Sequence, residues 1–230
     1  MKKLFVVSDI HGHCTILREA LDRAGFDRRD PDHLLICCGD YFDRGTENLE
    51  VLQFLERLPR KILIRGNHED MLKKLLYTGK MQPHHYINGT LTTLRSIFGK
   101  YFADPVDDTI DFSGKTRITD RFLAFIEETV DYYETEHLVF VHGWLPEHGE
   151  TPHERQMAGR EAWANARKER WDRCYNGQRP LADKILVCGH VPTFLVHGQD
   201  ESGIFYGNGI IAIDAGTAET KKINVLVLEA

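Results

Sequence analysis

Asp9 and His11, Asp40 and Asp43, Asn67 and His68, His142, and His190 are residue types that bind divalent cations, and they sit in short polar turns. Asp9 and His11 are separated by one residue, so an extended turn can aim both at one cation. In the stretch GDYFDRG, two carboxylates lie three residues apart and Arg44 follows. Asp40 can bridge two cations through its two oxygens, while Asp43 is placed to orient a neighbouring imidazole and raise its basicity. Arg44 offers a planar fork for phosphate oxygens. RGNHE supplies Asn67, whose side-chain carbonyl is a hard oxygen ligand, and His68, which reads as a general acid. His142 and His190 complete the nitrogen ligands. Each motif alone has a bland explanation as a capped turn or a structural histidine; their joint occurrence points to one assembled site.

All five turns follow apolar runs: LFVV, LLICC, ILI, LVFV and ILVC. A strand that ends in a polar turn delivers that turn to one edge of a sheet, where open α/β folds bind ligands. Between the first runs the apolar period is helical. Ile16, Leu17, Ala20, Leu21 and Ala24 predict a helix closed by Gly25; Leu49, Leu52, Leu55 and Leu58 predict a second, and Met71, Leu72, Leu75 and Leu76 a third that ends at Gly79. Strand–helix alternation of this kind predicts an α/β fold with a mainly parallel start. Residues 80–135 break the rhythm, with helices expected near 90–98 and 119–129, and read as a helical insertion over the site. Strands are expected at 138–141 and 185–188, with an Arg- and Trp-containing helix over roughly 153–173 between them. Short strands near 194–197, 204–206, 210–213 and 223–228 suggest an antiparallel finish.

With 230 residues, the chain suits one domain spanning 1–230. A net charge of −6 disfavours nonspecific nucleic-acid binding, because it repels a polyanion, whereas bound cations can still draw a small phosphoester. The opening MKKLFVVSDIHG reads as a strand, since its apolar run is too short for a signal peptide. No apolar stretch approaches the roughly 18 residues of a membrane span. Five scattered cysteines form neither a disulfide framework nor a CxxC metal pair, which suits a reducing cytoplasm.

DIHG, GDYFDRG, RGNHE, VHG and GH, in that order, resemble the calcineurin-like metallophosphoesterase superfamily, particularly the phosphoprotein-phosphatase branch of small bacterial and phage enzymes. The resemblance implies a four-layer sandwich with mixed sheets and a dinuclear metal site at strand ends. It implies one cation held by Asp9, His11 and Asp40, a second held by Asp40, Asn67, His142 and His190, and attack on phosphorus by a hydroxide they share. Arg44 and a second arginine bind the phosphoryl group in such a site; Arg160, Arg167, Arg170 and Arg173 compete for the second place, with Arg170 beside Trp171 favoured. Oxygen and nitrogen ligands without thiolate admit manganese, the leading expectation, or iron or zinc. The resemblance implies phosphomonoester hydrolysis on phosphoproteins. The alternative within the class is a dinucleoside polyphosphate such as diadenosine tetraphosphate, for which Arg95, Tyr101, Trp144, Trp163 and Trp171 would line a slot. The non-enzyme alternative is a metal-stabilised binding module without turnover.

Overall fold

In the computed structural model, which describes residues 2–114, 116–144, 179–197 and 201–229, two mixed β-sheets face each other and helices cover the first. The first sheet runs β3 (Lys61–Ile64), β2 (His33–Cys38), β1 (Lys3–Val7) and β9 (Leu226–Glu229). Its three N-terminal strands are parallel, with Val6 opposite Ile36 and Ile36 opposite Ile62, and β9 closes the edge antiparallel to β1. The second sheet runs β4 (Tyr132–Glu134), β5 (Leu138–Val141), β6 (Ile185–Cys188), β8 (Ile210–Ala212) and β7 (Phe205–Gly207).

Side chains alternate across each strand, and that alternation divides the core. Leu4, Val6, Ile36, Cys38 and Ile64 turn toward the second sheet and meet Phe140, Val187 and Ile211. Phe5, Val7, Leu35, Cys37 and Leu63 turn the other way and pack under α1 (Cys14–Arg23), α2 (Asn48–Glu56) and α3 (Asn67–Thr78). The far face of the second sheet carries Val139, Leu186 and Cys188, against which Trp144, Leu181 and Phe205 pack. Gly79, at φ +66°, ends α3 where the sequence places the stop.

Within 80–135 lie α4 (Pro83–Ile87), α5 (Thr90–Phe98) and α6 (Thr116–Glu128). Leu94 and Ile97 of α5 and Phe122, Phe125 and Ile126 of α6 share one hydrophobic cluster with Leu52, Leu72 and Leu75. These helices therefore extend the helical layer of the core.

The chain's second half departs from expectation in three ways. Phe194–His197 is a helical turn, not a strand: Thr193 N–H donates to Asp214 O at 2.9 Å and Leu195 N–H to Pro192 O at 3.0 Å, which turns the chain tightly after the GH motif. The finish is not simply antiparallel either, because β8 runs parallel to β6 and only β7 and β9 reverse. In addition, β4, inside the segment 80–135 expected to be a helical insertion, pairs antiparallel with β5 through a tight connection. The helix expected over 153–173 lies outside the described residues.

Candidate metal centre

Parallel pairing brings the C-terminal ends of β1, β2 and β3 to one edge, and the ends of β5 and β6 arrive there from the second sheet. The edges are stitched by hydrogen bonds. Asp9 N–H donates to Gly39 O at 3.0 Å, His11 N–H to Asp40 O at 2.9 Å, and Gly189 N–H to His142 O at 2.8 Å. Tyr41, fully buried, reaches the carbonyls of Ile64 and Cys37 at 2.6 and 3.0 Å and so ties the ends of β2 and β3. Gly39 has φ +84°, and a Cβ there would lie 2.7 Å from His142 Nδ1; at Gly189 a Cβ would collide with the Asp9 carboxylate.

Left-handed backbone concentrates in these turns. Asp9, His11, Asp40, Asp43, Arg44 and His190 have φ between +46° and +72°. Each such residue costs roughly 1–3 kcal/mol and persists only where its surroundings over-determine it. Here the strain buys convergence of side chains that a relaxed turn would splay apart.

Asp40 is the centre of that convergence. Its Oδ1 accepts from His68 N–H at 3.1 Å, and its Oδ2 lies 3.4 Å from His142 Nε2, 3.7 Å from His11 Nε2 and 3.8 Å from His68 Nε2. Asp9 Oδ1 is 4.0 Å from His11 Nε2. Across the centre, His142 Nε2 stands 3.0 Å from both Asn67 Oδ1 and His190 Nδ1. Backbone carbonyls fix which nitrogens face inward: His142 Nδ1 donates to Cys38 O at 2.8 Å and His11 Nδ1 to Phe42 O at 2.9 Å, leaving each Nε2 for the centre.

This donor set fits divalent cations. Nitrogens and oxygens that each coordinate at about 2.0–2.2 Å stand about 3–4 Å from one another, which is the spacing seen. Two groups, His11 with Asp40 and His68, and Asp40 with His142 and His190, each have ligand atoms within 4.8 Å. Proton affinities support the same conclusion. Burial should depress the His142 imidazolium, yet the Asp40 charge and hydrogen bond push it up to about 10. Asp40, despite burial, is held well below the usual carboxylate range by His142 and His68. Burial instead lifts Asp9 to about 6, against the pull of His142. A pocket that retains a proton this firmly is built around positive charge. His11 differs, because burial dominates and holds it well below the usual histidine range, neutral and ready to coordinate.

Beside the centre, His68 Nδ1 is 2.7 Å from Asp43 Oδ2, and both side chains are buried. Burial lowers the proton affinity of His68, but the Asp40 charge and the Asp43 hydrogen bond reverse the balance and raise it. Arg44 is exposed at the rim, and its charge bears on both His11 and His68. Arg170, together with Arg160, Arg167, Arg173, Trp163 and Trp171, lies outside the described residues. Arg95 is paired with Asp104 at 2.9 Å, and Trp144 packs against the second sheet.

Sequence reasoning missed several supporting residues. Glu69, fully buried, accepts from Asp40 N–H, Tyr41 N–H and Gly66 N–H, each at 2.9 Å. Thr90 and Thr93 of α5 donate to Asp43, and Asn48 accepts from Asp43 N–H at 3.0 Å. Asp214, at the end of β8, is buried; desolvation, followed by the charge of Asp9, holds its carboxyl well above the usual range. The signal for Asp214 was present, since Ile210–Ile213 is a sixth apolar run that ends in a carboxylate.

Comparison with known proteins adds to this geometry. Residues 2–215 match the family described as calcineurin-like phosphoesterase. Serine/threonine-protein phosphatase 2 of Escherichia coli (strain K12) is 38% identical over 78 residues, which is 34% of this chain and 34% of that protein. The asymmetrical bis(5'-nucleosyl)-tetraphosphatase PrpE of Bacillus velezensis is 25% identical over 136 residues, covering 55% of this chain and 49% of the relative. The chain thus spans about a third to a half of the curated relatives it matches. A solved structure ascribed to a diadenosine tetraphosphatase shares the fold with a TM-score of 0.57 at 15% identity, over 99% of this chain and 89% of the other.

Proposed function

This chain belongs to the calcineurin-like phosphoesterase family and is a metal-dependent hydrolase, and within that class we propose that it removes phosphate from phosphorylated serine or threonine side chains of proteins. The observation that carries the proposal is the buried Asp43–His68 pair, with His68 Nε2 turned toward Asp40. An alkoxide is a poor leaving group and needs a proton as the P–O bond breaks, whereas the phosphate leaving group of a dinucleoside polyphosphate needs one far less. A site that invests a buried carboxylate in holding an imidazole at this place suits the first reaction. The phosphatase relative at 38% identity supports the same reading.

Asp9, His11 and Asp40 would hold one divalent cation and Asp40, Asn67, His142 and His190 the other; when bound, the pair supplies Lewis-acid stabilisation of phosphoryl oxygens and activates water near neutral pH. Arg44, exposed beside the centre, binds a phosphoryl oxygen and orients phosphorus for in-line displacement. His68 gives its Nε2 proton to the departing oxygen. Asp43 accepts the hydrogen bond from Nδ1, which holds the ring in place and stabilises the charged imidazolium beforehand. His142 and His11 are locked by carbonyls of the β2 turn, so the cation ligands need no reorganisation. Manganese is the metal we expect, and elemental analysis of protein purified without added metal identifies it.

The second reading, dinucleoside polyphosphate cleavage, is favoured by the PrpE relative, whose match covers more of this chain. Catalytic efficiency on phosphoserine and phosphothreonine peptides, measured beside diadenosine tetraphosphate, separates the two. We expect the peptides to be preferred. A hundredfold preference for the dinucleotide, about 2.7 kcal/mol of transition-state stabilisation, would overturn the proposal.

A further inference from the structure

We infer that Thr90 and Thr93, three residues apart on α5, are positioning residues that clamp the Asp43 carboxylate and thereby aim the His68 proton at the leaving group. The inference rests on the reading of His68 as proton donor. Both threonines and Asp43 have no solvent exposure. Thr90 Oγ1 donates to Asp43 Oδ2 at 3.0 Å and Thr93 Oγ1 donates to Asp43 Oδ1 at 2.7 Å. Their i, i+3 spacing stacks the two hydroxyls on one helix face.

The direction of these bonds follows from counting protons. Asp43 N–H lies 2.9 Å from Thr93 Oγ1 and can only donate to it, so the single hydroxyl proton of Thr93 is left for Oδ1. Thr93 therefore closes a ring with Asp43, gripping its amide and its carboxylate together. Asp43 needs that grip because its backbone is left-handed, at φ +72°. Oδ2 is shared between Thr90 and His68 Nδ1, and Oδ1 belongs to Thr93. Without the hydroxyls the carboxylate could rotate about its last bond and carry His68 with it. Gly89, just before α5, packs its backbone against that of Arg44, where a Cβ would come within 3.1 Å. One helix from the 80–135 segment thus fixes the dyad and abuts the phosphoryl-binding arginine. A buried threonine in a helix more often bonds its own i−4 carbonyl; here both hydroxyls are turned outward to a residue 47 or 50 positions away.

The test uses the metal-loaded protein with phenyl phosphate, a poor leaving group, and 4-nitrophenyl phosphate, a good one. These aryl esters require no knowledge of the natural substrate. Thr93→Val should lower kcat on phenyl phosphate by about 10–100-fold, as loss of a residue that orients another does. KM should change little, and kcat on the nitrophenyl ester should fall by less than about threefold, because that group departs without a proton. Thr93→Ser, which keeps the hydroxyl, should restore the phenyl ester rate. Should Thr93→Val not fold, Thr90→Val reads the same ratio with the Thr93 ring intact. His68→Ala is run alongside to keep the two claims apart. If His68→Ala loses equally on both esters, the proton-donor reading falls and the inference with it. If His68→Ala is selective but the valine variants lose equally on both esters, or nothing on either, or serine fails to rescue, the threonine clamp alone is overturned.

Discussion

Glu69 offers the sharpest test of how the centre is held, because its three hydrogen bonds can be counted. Its Oε2 accepts from the amides of Asp40 and Gly66 and its Oε1 from that of Tyr41, all at 2.9 Å and with no solvent access. Glu69→Gln replaces one acceptor oxygen by an NH₂ donor of the same shape. With the remaining oxygen in the Oε2 position two bonds survive, and the NH₂ then faces Tyr41 N–H donor to donor. One buried amide is left unsatisfied, at about 1–3 kcal/mol. Glu69→Ala strands all three amides and opens a void, so the loss should reach the upper range for single substitutions, about 4 kcal/mol. The chemistry suffers too, because Asp40 sits at φ +55° with its amide in this clamp. Released, it should relax, and divalent-cation affinity should fall about 10–100-fold. Urea unfolding of metal-stripped protein measures the first effect, and calorimetric titration with Mn²⁺ the second. Unfolding free energies for Glu69→Gln within about 0.5 kcal/mol of wild type, the range of an ordinary surface change, together with unaltered cation affinity for Glu69→Ala, would refute the argument.

Asp40→Ala should abolish binding of both cations, since its Oδ2 stands between His11 and His142; retention of two tight equivalents by calorimetry would contradict that placement. His68→Ala should keep both cations while slowing hydrolysis of poor leaving groups by about 10²–10⁴-fold, and loss of one equivalent would instead make His68 a ligand of the His11–Asp40 group. Cation affinity should rise with pH across neutrality. His142 keeps its proton up to about 10 in the metal-free protein, so a cation must displace it, and affinity should gain about tenfold per pH unit for each proton released. Titrations in buffers of different ionisation enthalpy report that proton directly, and an affinity flat from pH 6 to 8 (about one pH unit either side of neutrality, well below the His142 value) would exclude it.

The sequence disclosed the parts of this site that lie at strand ends. Asp9, His11, Asp40, Asn67, His142 and His190 follow apolar runs, and the parallel pairing those runs imply suffices to bring them together. The same rule applied to Ile210–Ile213 would have found Asp214. The run stands among short strands that suggest an antiparallel finish, whereas β8 pairs parallel with β6 and so ends at the functional edge. Thr90 and Thr93 were illegible for a different reason. They occupy two positions of an amphipathic helix that also buries Leu94 and Ile97, and a threonine there reads as a neutral filler. Only the packing of α5 beside α2 and the turn before it, which carries Asp43 47 and 50 positions earlier in the chain, gives their hydroxyls a partner.

Glu69 shows a further limit. Its place three residues after the N-cap Gly66 is that of the glutamate in a capping box, and it does bond Gly66 N–H as that half of the motif requires. From sequence that reading is complete. The fold then gives the same carboxylate two more donors, the amides of Asp40 and Tyr41, which arrive because β2 and β3 run parallel and end level. A local capping residue thereby becomes the brace that holds Asp40 in a left-handed conformation. Local rules therefore locate the residues that point into the site, and long-range pairing decides which residues hold them there.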